Sequence, residues 1–270
     1  MGDNSSAEVV LVGCGFMGRA LLGGWLRSGI DPRKITVCDP TPNEWLLSQS
    51  HVRINLPIPE NPAIIVFAVK PQLLRDVLTK FENFNGGSTV FVSVAAGFTL
   101  CDFEQQLGSN TPVVRTMPNL PASVGAGVTA IVANNATTAD QVLAVQQLFE
   151  AVGTVVRLSE ESDMHIVTAL SGSGPAYIFA MVEALSQTGA ANGLPLEVAT
   201  QLATQTVVGA GKMLMQPGSS AASLRKSVTS PAGTTAAGLC ELTEEANGIS
   251  PLIARTIEAA KRRSEELAGL

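Results

Sequence analysis

A chain of 270 residues is long enough for two domains of ordinary size, since single cores stop growing at about 250–300 residues. Apolar residues make up 46% of it and aromatics only 4%, so the core is expected to be aliphatic, with alanine and glycine permitting close helix contacts. A net charge of −6 argues against a phosphate-backbone partner such as nucleic acid, which normally requires a basic face.

The first element is Val9-Val-Leu-Val-Gly-Cys-Gly-Phe-Met-Gly18, where an aliphatic strand stops at Gly13 and further glycines follow at Gly15 and Gly18. In a G-x-G-x-x-G turn the first glycine allows the bend, the second lets backbone approach a pyrophosphate, and the third lets the helix lie close on the strand. The helix expected over residues 19–27 would point free N–H groups and its positive dipole end at the phosphates. A second strand, 34–38, ends in Asp39, 24 residues beyond Gly15, where a ribose-binding acid is expected.

After a proline-rich stretch with a short helix at 43–50, strands are expected at 63–69, 89–95 and 112–116, with helices at 72–84 and 100–107 between them. A strand at 128–133, a helix at 139–152 and a strand at 154–158 complete the pattern of a parallel sheet covered on both faces. From residue 160 onward no strand is expected. Helices are placed at 160–170, 175–192, 195–216, 220–228, 235–246 and 251–267. The domains are therefore read as 1–159 and 160–270. The second is too apolar on too many faces to bury itself, which points to a partner subunit, the alternative being that these faces pack on the first domain.

The longest unbroken apolar run, residues 63–69, is far short of the roughly 18 residues that span a bilayer. The N-terminus lacks the basic and apolar regions of a secretory leader. Cys14, Cys38, Cys101 and Cys240 are isolated, without C-x-x-C spacing or an adjacent histidine, so neither a metal site nor a disulfide framework is expected. Reduced thiols in a cytoplasmic protein are the expectation.

Four further stretches place glycine, proline or small polar residues past a strand or between helices: AVKPQ (68–72), SVAAG (93–97), VRTMPNLPASVGAG (114–127) and SPAGTT (230–235). The first three lie at the carboxyl ends of expected strands, the edge where open parallel sheets bind ligands. Lys70 either meets a cofactor ribose or phosphate there or solvates a turn. Met117-Pro118-Asn119 either brings an amide to a nicotinamide or forms a proline-fixed turn with a capping asparagine. In the fourth stretch hydroxyls and glycine stand directly before an apolar helix. The N–H groups of Gly233, Thr234 and Thr235, with the hydroxyls of Ser230 and Thr235, form an anion site suited to a carboxylate.

Taken together, GCGFMG, AVKPQ, SVAAG, VRTMPN, SGSGPAY (171–177) and SVTSPAGTTAAGL (227–239) resemble the pyrroline-5-carboxylate reductase family over nearly the whole length. The resemblance implies an α/β fold: an N-terminal Rossmann-type dinucleotide-binding domain, then an all-α domain that dimerises by interleaving with a second copy. It implies NADPH- or NADH-dependent reduction of a cyclic imine to L-proline. It assigns cofactor contact to Gly13, Cys14, Gly15, Phe16, Met17 and Gly18, to Ala68, Val69, Lys70 and Pro71, and to Ala95, Ala96 and Gly97. Asp39 and Asn119 join that set from the residue reading. Substrate carboxylate binding falls to Ser230, Gly233 and Thr234, and a hydrogen bond to the imine nitrogen to Thr235. Two departures stand out. Asp39-Pro40 replaces the hydroxyl or basic residue that members commonly place after the second strand, which leans the choice toward NADH. Neutral residues 217–223 replace an acidic residue that some members carry ahead of the SVTSPAGTT motif.

The poverty of bases agrees with this chemistry. Only His51 and His165 are present, and hydride addition to a protonated imine needs positioning rather than a nucleophile. His165 is expected to be structural. Two alternatives are a β-hydroxyacid dehydrogenase-type reductase, for which Lys212 or Lys226 would have to act, and a non-catalytic redox sensor that binds NAD(P).

Overall fold

The computed structural model describes residues 8–269; the N-terminal stretch read for a leader lies outside them. Contacts divide the chain into one unit reaching to Gly172 and resuming at Ala260, and a second unit of Ser173–Ala259.

The first unit is built on an eight-stranded sheet in the order β3-β2-β1-β4-β5-β6-β7-β8. Its strands are β1 (Val9–Val12), β2 (Ile35–Cys38), β3 (Arg53–Ile54), β4 (Ile64–Phe67), β5 (Val90–Ser93), β6 (Val113–Met117), β7 (Gly127–Ala133) and β8 (Gly153–Arg157). β1, β4, β5 and β6 are buried along their whole length; β1 and β4 accordingly read as continuous apolar runs, whereas β5 ends in the buried Ser93 and β6 carries the buried Arg115 and Thr116. Alternate side chains serve opposite faces. Val9 and Leu11 join Leu22, Trp25 and Phe149 in one core cluster, whereas Val10 and Val12 join Phe67, Leu74 and Phe103 in the other. The first face is covered by α1 (Phe16–Arg27), α2 (Glu44–Leu47) and α5 (Ala139–Glu150). The second is covered by α3 (Pro71–Leu78) and α4 (Leu100–Leu107).

The expectation of a parallel sheet fails at one junction, because β7 runs antiparallel to β6. Residues 118–126 between them hold only a 3-10 turn, Leu120–Val124, and a parallel return needs a crossover of about a dozen residues or more. The two-residue β3 at the sheet edge escaped the sequence reading, being too short to show an alternation.

The helix expected over 160–170 is three pieces: a 3-10 turn Glu161–Asp163, α6 (Met164–Val167) and a π-helical turn Thr168–Gly172. The second unit then contains α7 (Gly174–Ala191), α8 (Leu196–Leu214), α9 (Ala221–Ser227), α10 (Thr234–Leu242) and the start of α11 (Ile249–Leu267), whose last turns belong to the first unit. α10 ends earlier than expected, because the Glu244 carboxylate accepts the N–H groups of Ala246 and Asn247 and builds a turn there.

The second unit has almost no core of its own. Ala199, Ala203 and Ser186 are buried, while Phe179, Leu185, Leu202, Leu214 and Leu252 are about half exposed or more. The helical run Glu161–Ala191 is also long and apolar enough, by length and composition, to cross a bilayer. Ser171-Gly-Ser-Gly174 interrupts this run, so it holds no long stretch of unbroken apolar residues.

Candidate active site

Each glycine of the first turn has a distinct geometric role. Gly13 adopts φ 88°, and a Cβ there would stand 2.8 Å from Val69 and 2.9 Å from the Ala68 carbonyl oxygen. A Cβ on Gly18 would overlap the Gly13 carbonyl oxygen, so its absence lets α1 seat on the turn. Gly15 meets nothing within 4 Å, leaving open space at the mouth of the helix. It is also the N-cap of α1 and no side chain caps that end. The N–H groups of Phe16, Met17 and Gly18 are thus without intrahelical acceptors and aimed where the positive dipole end favours an anion. The cradle fits a dinucleotide pyrophosphate.

Around it stand the other expected cofactor residues of the first unit. Asp39, at the end of β2, accepts the Cys14 N–H at 2.6 Å through one carboxylate oxygen and the Thr41 N–H at 2.8 Å through the other. Asn55, held in the left-handed region at φ 51°, clamps the Asp39 backbone by accepting its N–H at 2.9 Å and donating to its carbonyl at 2.8 Å. This clamp was invisible in sequence, because only the fold brings β3 beside β2. Each Asp39 oxygen keeps a lone pair for a ribose hydroxyl. Burial, and then the Asp39 charge, push the Cys14 thiol up to about 11, so it stays protonated and inert at neutral pH.

Of the cations near β2, Arg33 is paired with Asp31 at 2.8 Å, and Arg53 reaches Glu8 at 3.4 Å and the Pro57 carbonyl at 3.0 Å. Lys70 is the exposed N-cap of α3, with Pro71 at the first helical position, and makes no ion pair among the described residues. In the loop after β5, the buried Ala95 donates its N–H to the Ser93 hydroxyl at 3.1 Å, Ala96 is half-buried, and Gly97 takes φ 79°.

Asn119 is nearly buried. Its side-chain oxygen accepts the Val128 N–H at 2.9 Å and its amide nitrogen donates to the Ser171 carbonyl at 3.1 Å. The amide thus braces the 118–126 turn against the π-helical Thr168–Gly172, keeping one N–H for a ligand. Such π turns sit frequently at functional sites. The only sequence signal for this one is the Ser-Gly-Ser-Gly-Pro run at 171–175.

In the second unit, the SPAGTT stretch forms the turn leading into α10. Ala232 takes φ 56°, and the Gly233 N–H is already given to the Ser230 carbonyl at 3.1 Å. Gly233 is therefore not a free donor. Its contribution is spatial, because a Cβ there would overlap the Ser230 hydroxyl. Gly233 is the N-cap of α10, and no side chain caps the helix. Ser230, Thr234 and Thr235 are exposed, and the N–H groups of Thr234 and Thr235 open the helix unpartnered. Lys212 and Lys226, needed by the dehydrogenase alternative, lie exposed on α8 and α9.

Known proteins resemble the chain over nearly its whole length. A family model described as pyrroline-5-carboxylate reductase dimerisation matches residues 161–267, and one described as NADP oxidoreductase, coenzyme F420-dependent, matches residues 8–97. The pyrroline-5-carboxylate reductase of Mycobacterium tuberculosis is 40% identical, covering 97% of each chain. The structure of that enzyme from Coxiella burnetii superposes with a TM-score of 0.91 at 33% identity, covering 97% of this chain and 99% of that one. The Plasmodium falciparum pyrroline carboxylate reductase, solved with NADP bound, gives a TM-score of 0.82 at 27% identity, covering 98% and 99%.

Proposed function

Because the chain belongs to the pyrroline-5-carboxylate reductase family, and so is an oxidoreductase that reduces a cyclic imine to L-proline, we propose that the turn before α10 holds the substrate. The observation that carries this assignment is the uncapped α10 N-terminus. Hydroxyls that merely capped the helix would be bonded to its first N–H groups. Instead the Thr234 and Thr235 N–H groups and the Ser230 hydroxyl are free to grip the substrate carboxylate. Neither the dehydrogenase nor the sensor alternative accounts for a full-length relationship to this family.

A reduced nicotinamide, when bound, supplies the hydride. As the hydride adds to the imine carbon, the C=N π pair withdraws onto nitrogen. The Thr235 hydroxyl, a rotor that both accepts and donates, accepts the iminium N–H before that step and donates to the amine lone pair after it. Thr235→Val keeps the shape and removes only this bond. It should lower kcat/KM by about 1–3 kcal/mol, on the order of ten- to a hundredfold, with cofactor binding intact. Ser230→Ala should act mainly through KM, because the carboxylate is held equally in ground and transition states. Steady-state kinetics alongside melting temperatures decide the matter. A lowered melting point with unchanged kcat/KM for Thr235→Val would remove its hydroxyl from the reaction and leave it a structural residue.

In the first unit, Gly13–Gly18 of the turn, Ala68–Pro71, Ala95–Gly97 and the remaining Asn119 N–H are proposed to hold the dinucleotide. Asp39 leans the choice to NADH, since a 2′-phosphate would meet the carboxylate as like charge; of the three cations flanking β2, Arg33 and Arg53 are engaged elsewhere, while Lys34 acts on Asp31 and makes no ion pair among the described residues. The exposed apolar helices of the second unit, within the region matched as a dimerisation domain, support a homodimer or a larger assembly of dimers. Four free cysteines agree with a reducing, cytoplasmic setting.

A further inference from the structure

The last turns of α11 leave the second unit and pack with the first, where they reach the loop after β5. Ser264, on the buried side of α11, shares a 3.0 Å hydrogen bond with Nδ1 of His165. Both residues are nearly inaccessible, at 5% and 6% exposure. One turn further on, the Leu267 backbone lies directly on Gly97, where a Cβ would come within 2.9 Å of the Leu267 carbonyl oxygen. Gly97 therefore meets two demands at once, a left-handed backbone and the close approach of another main chain. Leu267 and Gly97 also share a cavity of about 540 Å³ with Pro71 and Gln72, which begin the helix after β4. One short segment at the end of the chain thus touches the loop at the carboxyl end of β5 and shares a cavity with the start of α3.

From this we infer that Ser264–Leu267 is a strap that positions the Ala95–Gly97 loop for the cofactor, with Ser264 as its anchor on His165 and Leu267 as the part that bears on the loop. The inference rests on the proposed role of that loop in holding the dinucleotide. Ser264 and Leu267 are not among the residues proposed to touch the cofactor and act through His165 and Gly97, as positioning residues. An unbonded Ser264 would let the helix end lift, and Gly97, free of its neighbour, would sample more of the backbone space open to glycine. Cofactor affinity then falls because the loop must be ordered on binding.

The test is nucleotide binding by the full-length protein, followed through the fluorescence of NADH and NADPH, with steady-state kinetics alongside. Ser264→Ala should raise the dinucleotide Kd and KM three- to tenfold and leave KM for the imino acid unchanged. Ser264→Cys, of similar volume and with a weak donor, should recover part of the loss, and it carries the comparison if the alanine variant does not fold. Ala96→Asp, which sets a negative charge in the loop, should weaken the dinucleotide at least tenfold and tests the loop's role directly. If Ala96→Asp weakens binding while Ser264→Ala lowers only the melting temperature, the strap is refuted and the cofactor reading stands. If Ala96→Asp binds as well as the parent protein, the loop does not hold the cofactor and the inference falls with it.

Discussion

Removing the Glu161 carboxylate should destabilise the first unit far more than removing the guanidinium it pairs with. Arg115, on β6, is 1% exposed and donates to Glu161 at 2.7 Å, whereas Glu161 is 27% exposed. The same Glu161 oxygen accepts the Leu100 N–H at the start of α4 at 2.9 Å. Glu161→Ala would leave a buried, uncompensated cation whose Nε is already without a partner. Breaking a fully buried pair costs about 3–5 kcal/mol, and because water can enter beside the partly exposed Glu161 the cost here is discounted to about 2–3 kcal/mol. At about 2–4 °C per kcal/mol for a chain near this size, the melting temperature should fall by about 5–10 °C. Arg115→Met removes the charge together with its desolvation cost and leaves Glu161 reachable by water, so it should cost under about 1 kcal/mol. Calorimetry at one fixed protein concentration reads both, since assembly would otherwise shift the midpoint. Equal destabilisation by the two variants would show that the buried charge is a net stabiliser and would overturn the reasoning.

The glycine turn separates fold from binding. Gly15→Ala, with nothing within 4 Å, should leave the melting temperature unchanged yet weaken dinucleotide affinity at least tenfold, whereas Gly18→Ala, overlapping the Gly13 carbonyl, should lower both. Calorimetry and nucleotide titration of the pair distinguish them, and a Gly15→Ala protein with unaltered affinity refutes the pyrophosphate assignment. Asp39→Ser should narrow the ratio of kcat/KM for NADH to that for NADPH, and a parent protein that uses NADPH more efficiently refutes the lean to NADH. The pH response follows from His165, whose pKa is lowered from its ordinary 6.5 first by burial and then by the Arg115 charge. The unfolded chain therefore binds this proton more readily than the folded one. The resulting stability is full above about pH 6.5 and declines as pH falls toward the folded value. His165→Asn should flatten the dependence of melting temperature on pH between about 5 and 7, and an unchanged slope would remove His165 as its source.

Much of this architecture was legible in the chain because its signals are local. Continuous aliphatic runs marked strands buried on both faces, Gly13, Gly15 and Gly18 marked a turn whose geometry tolerates no other residue at two of the three positions, and Thr99 and Thr138 cap helices where the periodicity begins. The apolar helices after residue 160 announced a surface in need of a partner, because burial demand can be counted without knowing the fold. What the chain could not disclose depends on approaches between residues distant in sequence. The reversal of β7 follows from a connection too short for a crossover. The Asn55 clamp on Asp39 exists only because β3 lies beside β2. Asn119 meets Ser171 across 52 positions and Ser264 meets His165 across 99, and no periodicity encodes either meeting. The SPAGTT stretch shows both sides of this division. Its hydroxyls and glycine pointed to the anion site proposed above, but only the folded turn revealed that Gly233 has given its N–H to Ser230, that no side chain caps α10, and that Thr234 and Thr235 are left with their N–H groups free.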